Sequence, residues 1–230
     1  MNDVITIFHF LGLGDHIICN GLVRNLVKPE NNYILVVKKQ NLDSVKFMYR
    51  DLKNLDFYVL DEYTDPRFFI EKYKRPKIYI DFTIHHNLLM NGMPFDKAFY
   101  HQLNVDFDKR WEDFYILRDI DVEKNLSLKL NPNNEPYCLI HSTTSDGVDR
   151  INYDYINKDL KQIKVIHSKT IFDYIDLIEN ANEIHCVDSS FIHLVESVSI
   201  NADKIYYHKK FKQKFADFIH HVSKKSWIEI

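Results

Sequence analysis

The order of apolar and polar positions along the chain alternates between short apolar runs and helical repeats. Residues 4–10 form a β-branched and aromatic run that predicts a buried strand. A glycine-bearing turn at 11–15 follows, and apolar residues then recur at helical spacing until Pro29 ends the helix. The same order continues with strands predicted at 33–37, 55–60 and 76–82 and helices at 42–52 and 66–73. Such alternation predicts parallel β-α-β units with both faces of the sheet covered.

The second half of the chain starts a new series of the same kind. Residues 93–104 predict a helix and 114–117 a strand, and the polar segment 121–136 predicts a linker between two lobes. Further strands are predicted at 137–141, 163–167, 183–187 and 204–207, with helices at 171–181, 189–198 and 211–222. We therefore expect an α/β fold of two Rossmann-like lobes with parallel sheets, residues 1–122 and 123–230.

Composition narrows the class of protein. The 230 residues are 45% hydrophobic and 27% charged, as in a soluble globular protein. The net charge of -3 provides no basic field, so nucleic acid is not an expected partner. No apolar run is long enough for a transmembrane segment, and the N-terminus lacks a secretory signal. Cys19, Cys138 and Cys186 stand apart in apolar runs and are expected to be buried thiols, which predicts a cytoplasmic location.

The sharpest chemical signal lies at residues 181–194. A buried strand ends at Val187, and Asp188 or Ser189 is suited to cap the helix that begins at once. On a helical wheel His193 lies on the polar side with Ser190. The free amides and the dipole of a helix N-terminus favour an anion, and these side chains suit a phosphate or sugar oxygen. A plain capped helix with a surface histidine explains the same residues, and both interpretations stay open.

A second signal follows the first predicted strand. Three of the five glycines of the chain fall between positions 12 and 21, and Gly12 and Gly14 let a ligand approach the backbone. The dinucleotide fingerprint is absent, since its third glycine would be Ile17. Asp15 could serve as a helix cap, but its place at the carboxyl end of a strand favours a functional role. His16 is the alternative base.

A third segment, residues 141–147, follows the first strand of the second lobe. Ser142, Thr143 and Thr144 place small hydroxyls at the carboxyl end of that strand, and Arg150 could supply a cation for a phosphate. An ordinary turn rich in serine and threonine is the alternative interpretation.

Together these segments resemble the bacterial lipopolysaccharide heptosyltransferases of glycosyltransferase family 9. Gly14-Asp15 match the family's Gly-Asp after the first strand, and Thr143-Thr144 match its Thr-Thr turn. Residues 188–194, Asp-Ser-Ser-Phe-Ile-His-Leu, match the D-[ST]-G-x-x-H-L motif, with Ser190 in place of glycine. The resemblance covers about a third of the chain. It implies the GT-B arrangement, in which two Rossmann-like lobes face a cleft.

The resemblance also implies a function. It implies an inverting, metal-independent glycosyltransferase without a cofactor, which moves a sugar from a nucleotide-diphosphate donor to a glycan acceptor. Asp15 would be the catalytic base. The donor would be held by residues of the second lobe, namely Ser142, Thr143, Thr144, Arg150, Ser168, Lys169, Asp188, Ser189, Ser190 and His193.

The sequence departs from the family pattern in the second lobe. One strand–helix unit is missing between Arg150 and Ile163, where the family places the carboxylate that holds the ribose. The family's phosphate-contacting lysine has no match, and Arg150 is its substitute here. The second lobe is therefore expected to be abridged, and the resemblance does not fix the identity of the donor sugar.

Other residues of the chain fit different chemistries less well. Asp106-Phe107-Asp108 and Asp119-Ile120-Asp121 fit the D-x-D pattern of metal-dependent transferases, but neither follows a buried strand. The adjacent pairs His85-His86 and His220-His221 are poorly placed to chelate one metal ion. A nucleotide-sugar epimerase or hydrolase on the same scaffold, and a non-catalytic nucleotide-sugar-binding protein, remain the alternative functions.

Overall fold

The computed structural model describes residues 4–9, 11–61, 77–80, 82–144, 146–166, 168–209 and 221–230. The chain divides into two compact units, Met1–Leu117 and Arg118–Ile230. The helix predicted at 66–73 and most of the one predicted at 211–222 lie outside the described residues.

The first unit is built on a four-stranded parallel sheet. Its strands are β1 (Val4–Phe8), β2 (Asn32–Lys38), β3 (Leu55–Leu60) and β4 (Lys77–Tyr79), in the order β3-β2-β1-β4. Because β1 lies inside the sheet, Ile7 and Phe8 are buried. The helices are α1 (Leu13–Ile18), α2 (Asn20–Leu26), α3 (Leu42–Met48), α4 (Phe82–Met90), α5 (Phe95–Gln102) and α6 (Lys109–Glu112).

The second unit is built on a five-stranded parallel sheet. Its strands are β5 (Tyr137–His141), β6 (Lys161–Lys164), β7 (Glu183–Val187), β8 (Lys204–His208) and β9 (Trp227–Glu229), in the order β6-β5-β7-β8-β9. The central strand β7 is buried along its whole length. The helices are α7 (Ile120–Leu130), α8 (Ile175–Asn180) and α9 (Ser190–Ser197).

Both sheets confirm the predicted α/β class with parallel strands and interleaved helices. Between β5 and β6 the described residues hold only one 3₁₀ turn, Tyr153–Tyr155, where a full crossover would carry a helix. This agrees with an abridged second lobe. The three cysteines are buried free thiols, as predicted.

The predicted linker at 121–136 is wrong for most of its length, because residues 120–130 form α7. Asp119 caps this helix through the amide of Val122 at 3.4 Å, and Asp121 and Glu123 follow in the first turn, where acidic side chains suit the helix dipole. Polar composition concealed an ordinary helix start, and α7 belongs to the second unit.

The strand predicted at 114–117 is also wrong. The backbone of Tyr115 is bound by side chains: its amide donates to Asn20 Oδ1 at 2.9 Å, and its carbonyl accepts from Asn20 Nδ2 and Arg24 Nε. The carbonyl of Leu117 accepts from Arg50. A segment whose backbone polar groups are bound by side chains in this way has no need of a neighbouring strand.

Several predicted boundaries move. Helix α1 begins at Leu13, so Gly14 lies in the helix and not in the preceding turn, and the helix expected to run on to Pro29 is divided at Cys19. Phe82, assigned to a strand, begins α4. Helices α4 and α6 and the short strand β9 were not predicted.

One glycine of the first unit is required by close packing. A Cβ atom at Gly21 would lie 1.9 Å from the carbonyl oxygen of Lys109, so α2 can approach α6 only where a side chain is missing.

Candidate functional site

Three of the predicted segments leave the carboxyl ends of adjacent strands in the second unit. Residues 142–144 follow β5, residues 168–169 lie after β6, and residues 188–190 follow β7. Since β6, β5 and β7 are neighbours in a parallel sheet, all three segments lie at the same edge. Ligands bind at this edge in open α/β sheets.

The turn after β7 builds the N-terminus of α9. Ser189 is the N-cap, and its Oγ accepts from the amide of Phe191 at 3.3 Å. Asp188, Ser189 and Ser190 are each half-buried, so this turn is partly open to solvent. The first amides of the helix and its dipole make the turn suitable for an anion.

His193 lies inside the second unit. Its side chain is buried, with its ring 4.9 Å from that of His221, and the burial of α9 runs without a gap from Phe191 to Glu196. Because α9 is covered on more than one side, His193 is an interior residue and not a surface one. The alternative interpretation of a plain capped helix with a surface histidine is therefore wrong.

His141 joins two of the three segments, although no role was predicted for it. It is the last residue of β5, and its ring stacks on that of Phe191 with centroids 4.7 Å apart and planes inclined by 5°. Its Nδ1 lies 3.2 Å from Ser189 Oγ. The end of β5 is thus fixed directly to the cap of α9. A histidine that ends a buried strand just before a hydroxyl-rich turn was the signal available.

The turn after β5 is held together by Arg150. Its guanidinium binds both carboxylate oxygens of Asp146, Thr144 Oγ1 at 2.9 Å and the carbonyl of Val148 at 3.1 Å. These bonds hold the pKa of Asp146 well below its usual range. Thr143 forms an isolated antiparallel bridge with Asp149. The cation expected to face a phosphate is thus paired with a carboxylate of its own turn.

The segment after β6 is anchored by its neighbours. Ser168 is half-buried and donates from Oγ to the carbonyl of Thr170 at 2.6 Å, and Lys169 is exposed. Thr170 in turn is bound through its amide and its hydroxyl to Asp173. The exposed lysine therefore extends from a fixed backbone.

In the first unit, Asp15 occupies the first turn of α1. Its Oδ2 accepts the amide of Gly12 at 2.9 Å, so the carboxylate does serve as a cap. Gly12 has an ordinary backbone conformation, with φ of -71°, and a Cβ there would lie 3.3 Å from Asp15 Oδ2. The glycine therefore gives the carboxylate room beside the chain.

The carboxyl group of Asp15 has a raised pKa. Burial raises its pKa to about 6, although the amide of Gly12 and the charge of Lys38 act in the opposite direction. The side chain is half-buried, so the carboxyl group is partly shielded from water but can still be reached from solvent. A carboxylate with a pKa near neutrality is suited to take a proton from a substrate.

Two histidines lie beneath the Asp15 turn. His9 and His16 are buried with ring centroids 4.2 Å apart, and burial lowers the pKa of His9 to about 4 and that of His16 well below its usual range. His16 is fully buried, which removes it as the alternative base because a substrate hydroxyl cannot reach it. Spacing alone did not reveal this pair.

One group in the described part of the chain could hold a metal ion. Cys138, Glu183 and His185 are buried, with ligand atoms within 4.8 Å of one another. The amide of Asn152 donates to His208 Nδ1, so a neutral His208 carries its proton on Nε2, which lies 2.9 Å from His185 Nδ1. Burial lowers the pKa of both rings to about 4.

This chain of hydrogen bonds fixes the proton on His185. Since its Nδ1 accepts from His208, a neutral His185 carries its proton on Nε2, which lies 3.7 Å from Glu183 Oε2. A metal ion bound at His185 Nε2 would have to displace the proton that these hydrogen bonds place there. The other candidates for metal chemistry stand apart: Asp119 caps α7, Asp106 accepts the amide of Asp108, and His85 is buried beside an exposed His86. His220 lies outside the described residues.

No protein-family model matches this sequence, and no curated protein matches it. Solved structures do match, and they show a fold that glycosyltransferases use. Within the described part of the chain, no helix has the length and hydrophobicity required to span a membrane.

Two of these structures bear directly on the fold. The first is a glycosyl transferase of family 9 from Veillonella parvula, 11% identical with a TM-score of 0.61, where the match covers 100% of this chain and 87% of that one. The second is the ADP-heptose lipopolysaccharide heptosyltransferase II of E. coli, 12% identical with a TM-score of 0.54, covering 100% and 90%. At these identities the likeness establishes the fold of the chain.

Proposed function

We propose that this protein is a glycosyltransferase that moves a sugar from a nucleotide-diphosphate donor to a hydroxyl group of a glycan acceptor. The first unit would serve the acceptor and the second the donor. We propose an inverting reaction that uses no metal ion and takes place in the cytoplasm. The observation that carries the proposal is the coincidence of a family 9 glycosyltransferase fold with Gly14-Asp15 after β1 and the Asp188–His193 segment after β7.

Asp15 would act as the general base. Its carboxylate would take the proton of the acceptor hydroxyl as that oxygen forms a bond to the anomeric carbon of the donor sugar. The bond between that carbon and the diphosphate breaks at the same time, and the diphosphate leaves with the electron pair. The pKa of about 6 supports this role, because most of the carboxylate is ionised at pH 7 yet its affinity for a proton is raised.

The donor would be bound at the carboxyl ends of β6, β5 and β7. The leaving diphosphate gains negative charge, and the amides at the N-terminus of α9 are oriented before the reaction to receive it. Ser189, Ser190 and Thr143 offer hydroxyl groups nearby, and the exposed Lys169 offers a cation. Arg150 would act by holding the turn that presents Thr144, since its own charge is matched by Asp146.

A ligand panel tests the donor half of this proposal. Thermal unfolding would be followed with ADP, GDP, UDP, CDP and their sugar conjugates, with the parent nucleosides as controls. A ligand at 100 times its dissociation constant adds about 2.7 kcal/mol of stability, which is several degrees in the midpoint. We expect one nucleoside diphosphate to stabilise the protein and its nucleoside to have little effect. If every nucleotide leaves the midpoint unchanged, the proposal is wrong.

The transfer half is tested with a radiolabelled donor of the nucleotide so identified. A transferase moves the labelled sugar from the donor to the acceptor, and it leaves the donor intact when no acceptor is present. An epimerase or a hydrolase changes the donor in the absence of any acceptor, and a binding protein leaves the donor intact under all conditions. Either of those two results would replace glycosyl transfer with the corresponding alternative.

A further inference from the structure

The position of the His141 ring is fixed on two sides. Its face lies on Phe191 with planes inclined by 5°, and its Nδ1 is 3.2 Å from Ser189 Oγ. Phe191 is fully buried, so the surface on which the ring rests belongs to the core of the second unit. With the plane and one nitrogen fixed, the direction of the second nitrogen, Nε2, is fixed as well.

The hydrogen bonds around Ser189 favour one arrangement of protons. Ser189 Oγ already accepts the amide of Phe191, so its own hydrogen is available for His141 Nδ1. Burial lowers the pKa of His141 to about 4, so the ring is neutral at pH 7. A neutral ring that accepts at Nδ1 carries its single proton on Nε2.

The second nitrogen remains available to a ligand. The side chain of His141 is half-buried, and among the described residues none forms a hydrogen bond with Nε2. It ends β5, the strand that adjoins β7, at the edge where residues 142–144 and the N-terminus of α9 also lie. A neutral N–H donor with a fixed direction at this edge suits an anionic oxygen.

We propose that His141 is a donor-binding residue whose Nε2–H donates to a diphosphate oxygen of the nucleotide. This inference rests on the proposed function and adds to it a residue of the third segment for which no role was predicted. The ring also connects the end of β5 to Ser189. The same side chain would therefore align the strand end and the helix cap on one phosphate group.

Three substitutions separate the roles of the two nitrogens. The amide nitrogen of His141→Gln can replace Nε2, the side-chain amide of His141→Asn can replace Nδ1, and His141→Phe keeps a ring on Phe191 with neither nitrogen. His86→Gln, an exposed histidine in the first unit, is the matched control. Isothermal titration would measure the affinity of each variant for three ligands: the nucleoside diphosphate found by the ligand panel, its nucleoside and inorganic pyrophosphate.

We expect His141→Asn and His141→Phe to bind the nucleoside diphosphate about tenfold more weakly, a loss typical of one hydrogen bond to a charged group. His141→Gln should stay within about threefold of the wild type, and nucleoside binding should be unchanged in all three. If His141→Asn keeps full affinity while His141→Gln loses it, the ring acts only through Ser189 and the proposal is overturned.

The proton position is tested without any ligand. Nitrogen-15 NMR of the histidine rings at pH 7 should give His141 the shifts of the Nε2–H form, assigned by the absence of its signals in His141→Phe. The Nδ1–H form would overturn the proposal, since Nε2 could not then donate. A wild-type protein that binds no nucleoside diphosphate would instead refute the proposed function. A wild type that binds while all variants match it would refute the role of His141 alone.

Discussion

The turn after β1 and the turn after β7 are the same supersecondary element with different chemistry. In each, a buried parallel strand ends and a helix begins within a few residues. At the first turn the cap is the carboxylate of Asp15, bound to the amide of Gly12. At the second the cap is the hydroxyl of Ser189, bound to the amide of Phe191.

The difference between the caps decides which charge each turn can receive. The Asp15 carboxylate brings a negative charge into a dry environment, and the result is a raised pKa. The Ser189 hydroxyl is neutral, so the remaining amides of α9 and the helix dipole can attract an anion from outside. A turn capped by a carboxylate is suited to accept a proton, and a turn capped by a hydroxyl is suited to bind a phosphate.

Removing the carboxylate from the first turn should have the largest effect. Asp15→Asn keeps the size of the side chain and an oxygen for the Gly12 amide, but it loses the base. We expect the turnover number to fall about 10²–10⁴-fold, the usual contribution of a general base, with donor affinity nearly unchanged. Turnover would be measured with the labelled donor, and affinity by titration.

Asp56→Asn provides the matched control, since Asp56 is an exposed aspartate on β3 of the same unit. It should keep wild-type turnover. Wild-type turnover in Asp15→Asn would show that another group removes the proton. Loss of donor binding in that variant would show that the first turn does more than accept a proton.

The second prediction concerns pH. Because the pKa of Asp15 is raised to about 6, its carboxylate loses its charge at a pH where an ordinary aspartate is still ionised. We expect kcat/KM for the acceptor to be level above pH 7 and to fall about tenfold per unit below pH 6. His9 and His141, with pKa values of about 4, keep their charge state over that range. An activity that stays level down to pH 5 would contradict the role of Asp15.

Local signals in the sequence predicted much of the fold. The succession of strands and helices along the chain follows from short apolar runs separated by helical repeats. The caps at Asp15 and Ser189 follow from residue types that satisfy free helix amides. These features depend on neighbours within a few positions, so the chain reveals them directly.

Features set by contacts distant in sequence could not be predicted in the same way. A helical wheel gives the angle of His193 around its own axis, but its burial depends on layers that include His221, 28 positions later. The pairing of Arg150 with Asp146 depends on how the turn after β5 closes. Likewise the position of the His141 ring depends on its contacts with Phe191 and Ser189, which lie far from it in sequence.

The third prediction concerns the neutral cap of the second turn, which Ser189→Ala removes. Ser189→Ala leaves the Phe191 amide without its partner and should lower the free energy of unfolding by about 1 kcal/mol, as measured by urea denaturation. It should also weaken nucleoside diphosphate binding several-fold, because the cap and His141 share this serine. Ser197→Ala, at the opposite end of α9, is the control and should have little effect on binding. Equal effects of the two variants on binding would mean that the N-terminus of α9 has no special role.

The smallest expected effect concerns the stability of the first turn. A carboxyl group whose pKa is raised in the folded state binds protons more tightly when folded, so its stabilising contribution is complete below pH 4 and is lost as the pH rises through 6. Asp15→Asn carries no such loss. It should be more stable than the wild type by about 0.5–1 kcal/mol at pH 7.5, a figure reduced for the partial exposure of the side chain. The difference should vanish near pH 4, where the carboxyl group is protonated in the folded protein. Urea denaturation at the two pH values measures it, with Asp56→Asn as the control. A variant less stable than the wild type at pH 7.5 would mean that the bond from the Gly12 amide is stronger to the charged carboxylate than to the neutral amide oxygen of Asn by more than the cost of burying the charge.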